Sequence, residues 1–139
     1  MRKVVVVDGQ GGRLGQKIVS SLLTEFPDMN LTAIGTNSMA TERMLKAGAK
    51  QAATGENALL VACRSADIII GPVGIAIADS LLGEITPKMA CAVGASDAMR
   101  ILIPMNLCGT YVPGVTSSSQ AIVSDAIAKI REILEGDHA

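Results

Sequence analysis

The sequence predicts an α/β protein, with helices on both faces of a mainly parallel sheet of five to six strands. Three observations carry this. Apolar, β-branched runs at residues 3–8, 31–35 and 67–70 show no polar alternation, as strands covered on both faces do. Segments between them have helical spacing, with Leu14, Ile18 and Leu22 recurring at i+4. Strand and helix signals then alternate along the chain with no repeat or linker, so residues 1–139 read as one domain.

The first strand, residues 3–8, leads into a helix over 12–26, where Val19, Leu23 and Phe26 widen the apolar stripe and Pro27-Asp28 stops it. After the strand at 31–35, Asn37 or Ser38 caps a helix that carries Met39, Met44 and Leu45 and ends at Gly48. A short strand at 51–53, a helix at 56–64 and the strand at 67–70 follow. Thr86-Pro87 starts the next helix, a hydroxyl cap followed by proline at the first helical position, where no amide hydrogen is needed. It runs to Gly94. Residues 99–104 form the fifth strand, and 110–112 read as a short sixth at the edge. Ser118 or Ser119 opens the last helix, with Ile122, Ala126, Ile127, Ile130 and Leu134 inward and Gly136 closing it.

Composition excludes several classes. The chain is 49% hydrophobic and 18% charged, enough apolar matter for a sizeable core. With 12 Lys and Arg against 13 Asp and Glu, it has no basic excess for a nucleic acid backbone, and Phe26 and Tyr111 make no stacking platform. The longest uncharged stretch, 101–124, holds two prolines and five Ser or Thr in its second half, so it is no membrane span. The apolar run after Met1 is too short for a signal peptide. Three widely spaced cysteines (Cys63, Cys91, Cys108) fit a reducing cytoplasm and no metal centre.

The most informative segment is Asp8-Gly9-Gln10-Gly11-Gly12-Arg13-Leu14-Gly15. Gly9, Gly12 and Gly15 follow a Gly-x-x-Gly-x-x-Gly pattern between a strand and a helix. Glycines there permit a tight turn, close approach of backbone amides to a pyrophosphate and close helix–strand packing. The helix N-terminus adds unpaired N–H groups and partial positive charge. This predicts a three-layer, doubly wound, Rossmann-like fold that binds a nucleotide or dinucleotide through Gly9, Gln10, Gly11, Gly12, Arg13, Leu14 and Gly15. A purely structural turn is the alternative. Dinucleotide-binding domains of this type place a carboxylate for the ribose about 20 residues beyond the fingerprint. Here Thr36, Asn37 and Ser38 stand there, which leans toward NADP over NAD, with Arg13 and Arg43 supplying charge; simple helix capping explains the same residues equally well. Asp8, which would repel a pyrophosphate, reads as loop scaffolding.

Beyond the fourth strand, Gly71, Pro72 and Gly74 would bring backbone close to a ligand at the switch point. The apolar stretch through Leu82 reads equally as a buried helix or a dimer face. Asp79, Glu56 and Lys88 are the candidate catalytic groups, against default roles in capping and turns; Asp79, if buried, would have a raised pKa. Asn106 follows the fifth strand. Cys91 is expected to face a helix interior and Cys108 a loop, and neither has a nearby histidine to activate it; His138 lies in the tail. No Tyr-x-x-x-Lys pair and no Gly-Lys-Ser/Thr is present.

The strings Val-Asp-Gly-Gln-Gly-Gly (7–12), Gly-Thr-Asn-Ser (35–38), Ala-Thr-Gly-Glu-Asn-Ala (53–58), Gly-Pro-Val-Gly-Ile-Ala-Ile-Ala-Asp (71–79) and Gly-Glu-Ile-Thr-Pro-Lys-Met-Ala (83–90) resemble a short bacterial domain-of-unknown-function family over nearly the whole chain. The resemblance implies a stand-alone Rossmann-like domain and no particular activity. Three functions follow as expectations: a nucleotide-type binding module, NADP-leaning; a small NADP-linked oxidoreductase working as a dimer; or a structural subunit with no cofactor. Low charge favours a homo-oligomer, most often a two-fold dimer.

Overall fold

The computed structural model describes residues 1–105 and 109–136. Its elements run β1 (Lys3–Asp8), α1 (Arg13–Glu25), β2 (Asn30–Gly35), α2 (Ser38–Lys46), β3 (Gln51–Thr54), α3 (Glu56–Ser65), β4 (Ile68–Pro72), a 3-10 turn (Val73–Ala76), α4 (Pro87–Ala95), β5 (Met99–Ile103) and α5 (Ser119–Gly136). All strand pairs are parallel, in the order β3-β2-β1-β4-β5. This is the three-layer Rossmann-like fold, and its crossover reverses between β2 and β4 on either side of β1.

Period-two geometry sends alternate residues of β1 to opposite faces, and both faces are covered. Val4 and Val6 pack with Ile18, Leu22, Met44, Ile127 and Ile130 of α1, α2 and α5. Val5 and Val7 pack with Leu59, Ile75, Met89 and Val93 on the α3 and α4 side. Val4 to Val7 and Ile68 to Ile70 have no exposed surface, each burial being worth about 1.5–3 kcal/mol relative to exposure. Arg131 donates to both carboxylate oxygens of Glu25 at 2.6 and 2.7 Å, tying α5 to α1.

The capping expectations hold in detail. Asn37 Oδ1 accepts from Ala40 N at 2.9 Å, and Thr86 Oγ1 accepts from Met89 N at 3.1 Å with Pro87 at the first helical position. Four expectations need correction. Residues 110–112 form no strand, so the described sheet has five strands. The apolar stretch after β4 is not a regular helix: Ile75 is fully buried in a single 3-10 turn, and a run of turns follows it that leaves Ala78 and Leu82 exposed. Cys91 is exposed, because the inward positions of α4 are Met89, Ala90 and Val93. On α5, Val123 is buried while Ile122 and Leu134 are only partly so. Asn106, Cys108 and His138 lie outside the described residues. No described helix is long and apolar enough to cross a membrane.

Candidate functional site

The β1–α1 loop sits at the carboxyl edge of the sheet. Asp8, the last residue of β1, is buried at 5% exposure and organises the turn: Oδ1 accepts from Gly9 N at 2.8 Å and Oδ2 from Gly15 N at 2.6 Å. Loop scaffolding, as expected, is its role. Burial pushes the Asp8 carboxyl above its ordinary 3.8, opposed by these two amides and reinforced by the charge of Glu84. A raised folded value means that stability from this group is complete below about the ordinary value and declines as pH climbs through the folded one. Asp8→Asn should therefore flatten that decline in urea unfolding curves compared across pH. It should also cost roughly 1–3 kcal/mol, since an amide accepts from only one of the two glycine N–H groups. An unaltered pH profile would show that Asp8 does not titrate differently on folding.

Gly12 caps α1 in the left-handed region at φ 74°, and its amide closes the turn onto Gly9 O at 2.9 Å. Helix α1 has no side-chain cap and no acidic residue in its first turn. Gly15 N is taken by Asp8 and Gln16 N by Gly12 O, whereas the amides of Gly11, Arg13 and Leu14 have no acceptor among the described residues. Residues 9–14 wall a cavity of about 180 Å³ together with Asp8, Pro72, Leu81 and Met105.

The other half of the loop is occupied. Glu84, from the turns between the 3-10 turn and α4, reaches across the crevice, and its Oε1 accepts from Gln10 N at 2.8 Å, from Asn37 Nδ2 at 3.0 Å and from Thr36 Oγ1. Asn37 Nδ2 also donates to Gln10 O at 2.9 Å, so Gln10, in the left-handed region at φ 49°, is held from both sides of its backbone. Burial works to raise the Glu84 carboxyl, but the hydrogen bonds from Thr36, Gln10 and Asn37 together outweigh it and hold it below the ordinary value. A carboxylate does stand at the end of β2, delivered by a residue 48 positions beyond Thr36.

The remaining sequence candidates separate. Asn37 is both helix cap and loop tie, while Ser38 is exposed in the first turn of α2. Pro72 lines the cavity; Gly71 is packed inside the sheet, and Gly74 O accepts from Ser80 Oγ and Ile77 N. Asp79 is exposed rather than buried, in a left-handed turn at φ 64° with its amide on Ile85 O. Glu56 accepts from Thr86 Oγ1 at 2.6 Å, joining the starts of α3 and α4, and Lys88 is exposed. None of these three walls the glycine-loop cavity. Arg13 and Arg43 do meet, in an open cleft of about 660 Å³ between α1 and α2 that Lys17 and Lys46 also line. Glu84 is the site residue that sequence reasoning missed. It lies just ahead of the Thr86-Pro87 helix start, and no local pattern marks a contact made so far along the chain.

No curated protein matches the chain. Among solved structures, a dodecameric FMN-dependent Ubix-like decarboxylase from Escherichia coli O157:H7 is similar in fold, with TM-score 0.54 and 16% identity over 97% of this chain and 95% of that one. A nucleoside-diphosphate-sugar epimerase from Pseudomonas aeruginosa gives TM-score 0.48 and 18% identity; 93% of this chain is covered, spanning 47% of the epimerase. The family model described as Domain of unknown function (DUF3842) matches residues 3–135, and the chain belongs to that family.

Proposed function

We propose that this protein is a nucleotide-binding module that holds a ligand phosphate at the β1–α1 loop. One observation carries the reading: the Gly11, Arg13 and Leu14 amides, at the start of a helix with no side-chain cap, are without acceptors among the described residues and belong to residues that wall a cavity. Unpaired amides at a helix N-terminus, with the partial positive charge of the helix dipole, form an anion site. At about 180 Å³ the cavity is below the roughly 300–1,000 Å³ of whole-ligand pockets, which suits a phosphate and its adjoining sugar, with the base lying in the open crevice. The FMN dependence of the fold neighbour supports a nucleotide-type ligand, and its dodecameric state supports a homo-oligomer here. NAD, NADP and FMN all offer the required phosphate. The setting is a reducing cytoplasm, as the cysteine usage leads one to expect.

Thermal unfolding with NAD, NADP, FMN and 5′-AMP tests this. A ligand at 100 times its Kd adds about 2.7 kcal/mol, a shift of several degrees. The discriminating variant is Gly11→Val. A Cβ at Gly11 meets no atom within 4 Å, so the unliganded melting temperature should hold while the ligand-induced shift disappears. If none of the four ligands stabilises the wild-type protein, the reading fails.

A further inference from the structure

We propose that Glu84 is the acceptor for a ribose 2′,3′-diol, so that the site takes nucleotides with an unmodified ribose and rejects those carrying a 2′-phosphate; this rests on the nucleotide reading above. Gln10 walls the cavity beside Gly11 and is the residue that Glu84 grips, so although Glu84 is not itself in the cavity wall, a sugar running along the loop from a phosphate on the Gly11, Arg13 and Leu14 amides would meet its carboxylate. The three donors at this end, Gln10 N, Thr36 Oγ1 and Asn37 Nδ2, all converge on Oε1. They are the donors that a 2′-phosphate would need, and a negative group already uses them. The second oxygen, Oε2, takes no hydrogen bond among the described residues, and a carboxylate oxygen has room for about two. Two sugar hydroxyls, both donors, satisfy it; a phosphate, which brings only acceptors and like charge, does not.

The segment that delivers Glu84 is built for this placement. Just ahead of it, Asp79, Leu81 and Leu82 hold left-handed φ of 64°, 57° and 57°. Such backbone is costly for bulky L-residues and persists where surrounding contacts over-determine it. Here Leu81 is buried beside Gly9, and Ile85, fully buried, fixes the far side by accepting Asp79 N at 2.7 Å. The competing reading puts a 2′-phosphate in the basic cleft of Arg13, Lys17, Arg43 and Lys46, and it predicts the opposite preference.

Calorimetric titration of 5′-AMP, its 2′-deoxy analogue and adenosine 2′,5′-bisphosphate into wild-type protein and Glu84→Gln decides the matter. The wild type should bind the 2′-deoxy analogue about tenfold more weakly than 5′-AMP, and the bisphosphate at least tenfold more weakly. In Glu84→Gln the bisphosphate penalty should shrink to within about threefold. Equal or tighter binding of the bisphosphate by the wild type overturns the assignment without reference to any variant. So does unchanged discrimination in a Glu84→Gln protein that melts normally, or tighter 5′-AMP binding by it, which would make Glu84 a plug rather than a contact. Absence of 5′-AMP binding to the wild type instead removes the nucleotide reading, and this inference with it.

Discussion

Replacing Gly71 with alanine should lower the free energy of unfolding by roughly 3 kcal/mol or more, the upper end of overpacking costs. The added Cβ would stand 2.3 Å from Val7 O, 3.3 Å from Val7 C and 3.0 Å from Ile75 Cδ1. A flexible side chain could yield, but Val7 O belongs to the central strand. There β1 pairs with β4 through Val6↔Ile70, and both residues have no exposed surface. Making room means separating the central strand β1 from its neighbour β4. Urea unfolding reads the effect directly, and a loss under about 0.5 kcal/mol would show that the strands accommodate the methyl group. Gly71 does not line the glycine-loop cavity, so protein that remains folded should keep wild-type nucleotide affinity. A ligand-approach role, as the sequence suggested, predicts the reverse: weaker binding with stability intact.

The second large effect belongs to Gly12→Ala, expected to cost roughly 2–4 kcal/mol. A φ of 74° alone costs an L-residue about 1–2 kcal/mol. The new Cβ also falls 2.6 Å from Ala40 Cα and 3.2 Å from Ala40 O, backbone atoms of α2. Relief requires α2 to move away from α1, which would carry Asn37, the cap of α2, away from Gln10 and Glu84. Stability and nucleotide affinity should therefore fall together, whereas Gly11→Val affects affinity alone. A Gly12→Ala protein with wild-type melting temperature would contradict the packing described here.

These two glycines show how far the sequence could be read. Gly12 was legible because its constraint is local: a strand, a turn and a helix within a dozen residues require a left-handed hinge there. What confines Gly71 was not legible, because the atom that faces it, the carbonyl of Val7, belongs to a strand neighbour remote in sequence. Whether Asp79 is buried was left open by the sequence for a related reason. It follows the apolar run 68–78, but the strands and the 3-10 turn take up those apolar residues, and the chain surfaces by the time it reaches Asp79.

Within single elements, apolar periodicity, the caps Asn37 and Thr86-Pro87 and the glycine spacing after β1 determined the layered α/β fold and the place of the glycine loop. Those features act between residues a few positions apart, so each is written where it operates. Only the tertiary structure decided the electrostatic character of the crevice. The carboxylate at the end of β2 belongs to Glu84, and what brings it there is the folding of a turn segment after β4 across the sheet edge. Contacts between such distant segments depend on strand order and on the path of the connecting chain, which neither residue type nor spacing encodes locally.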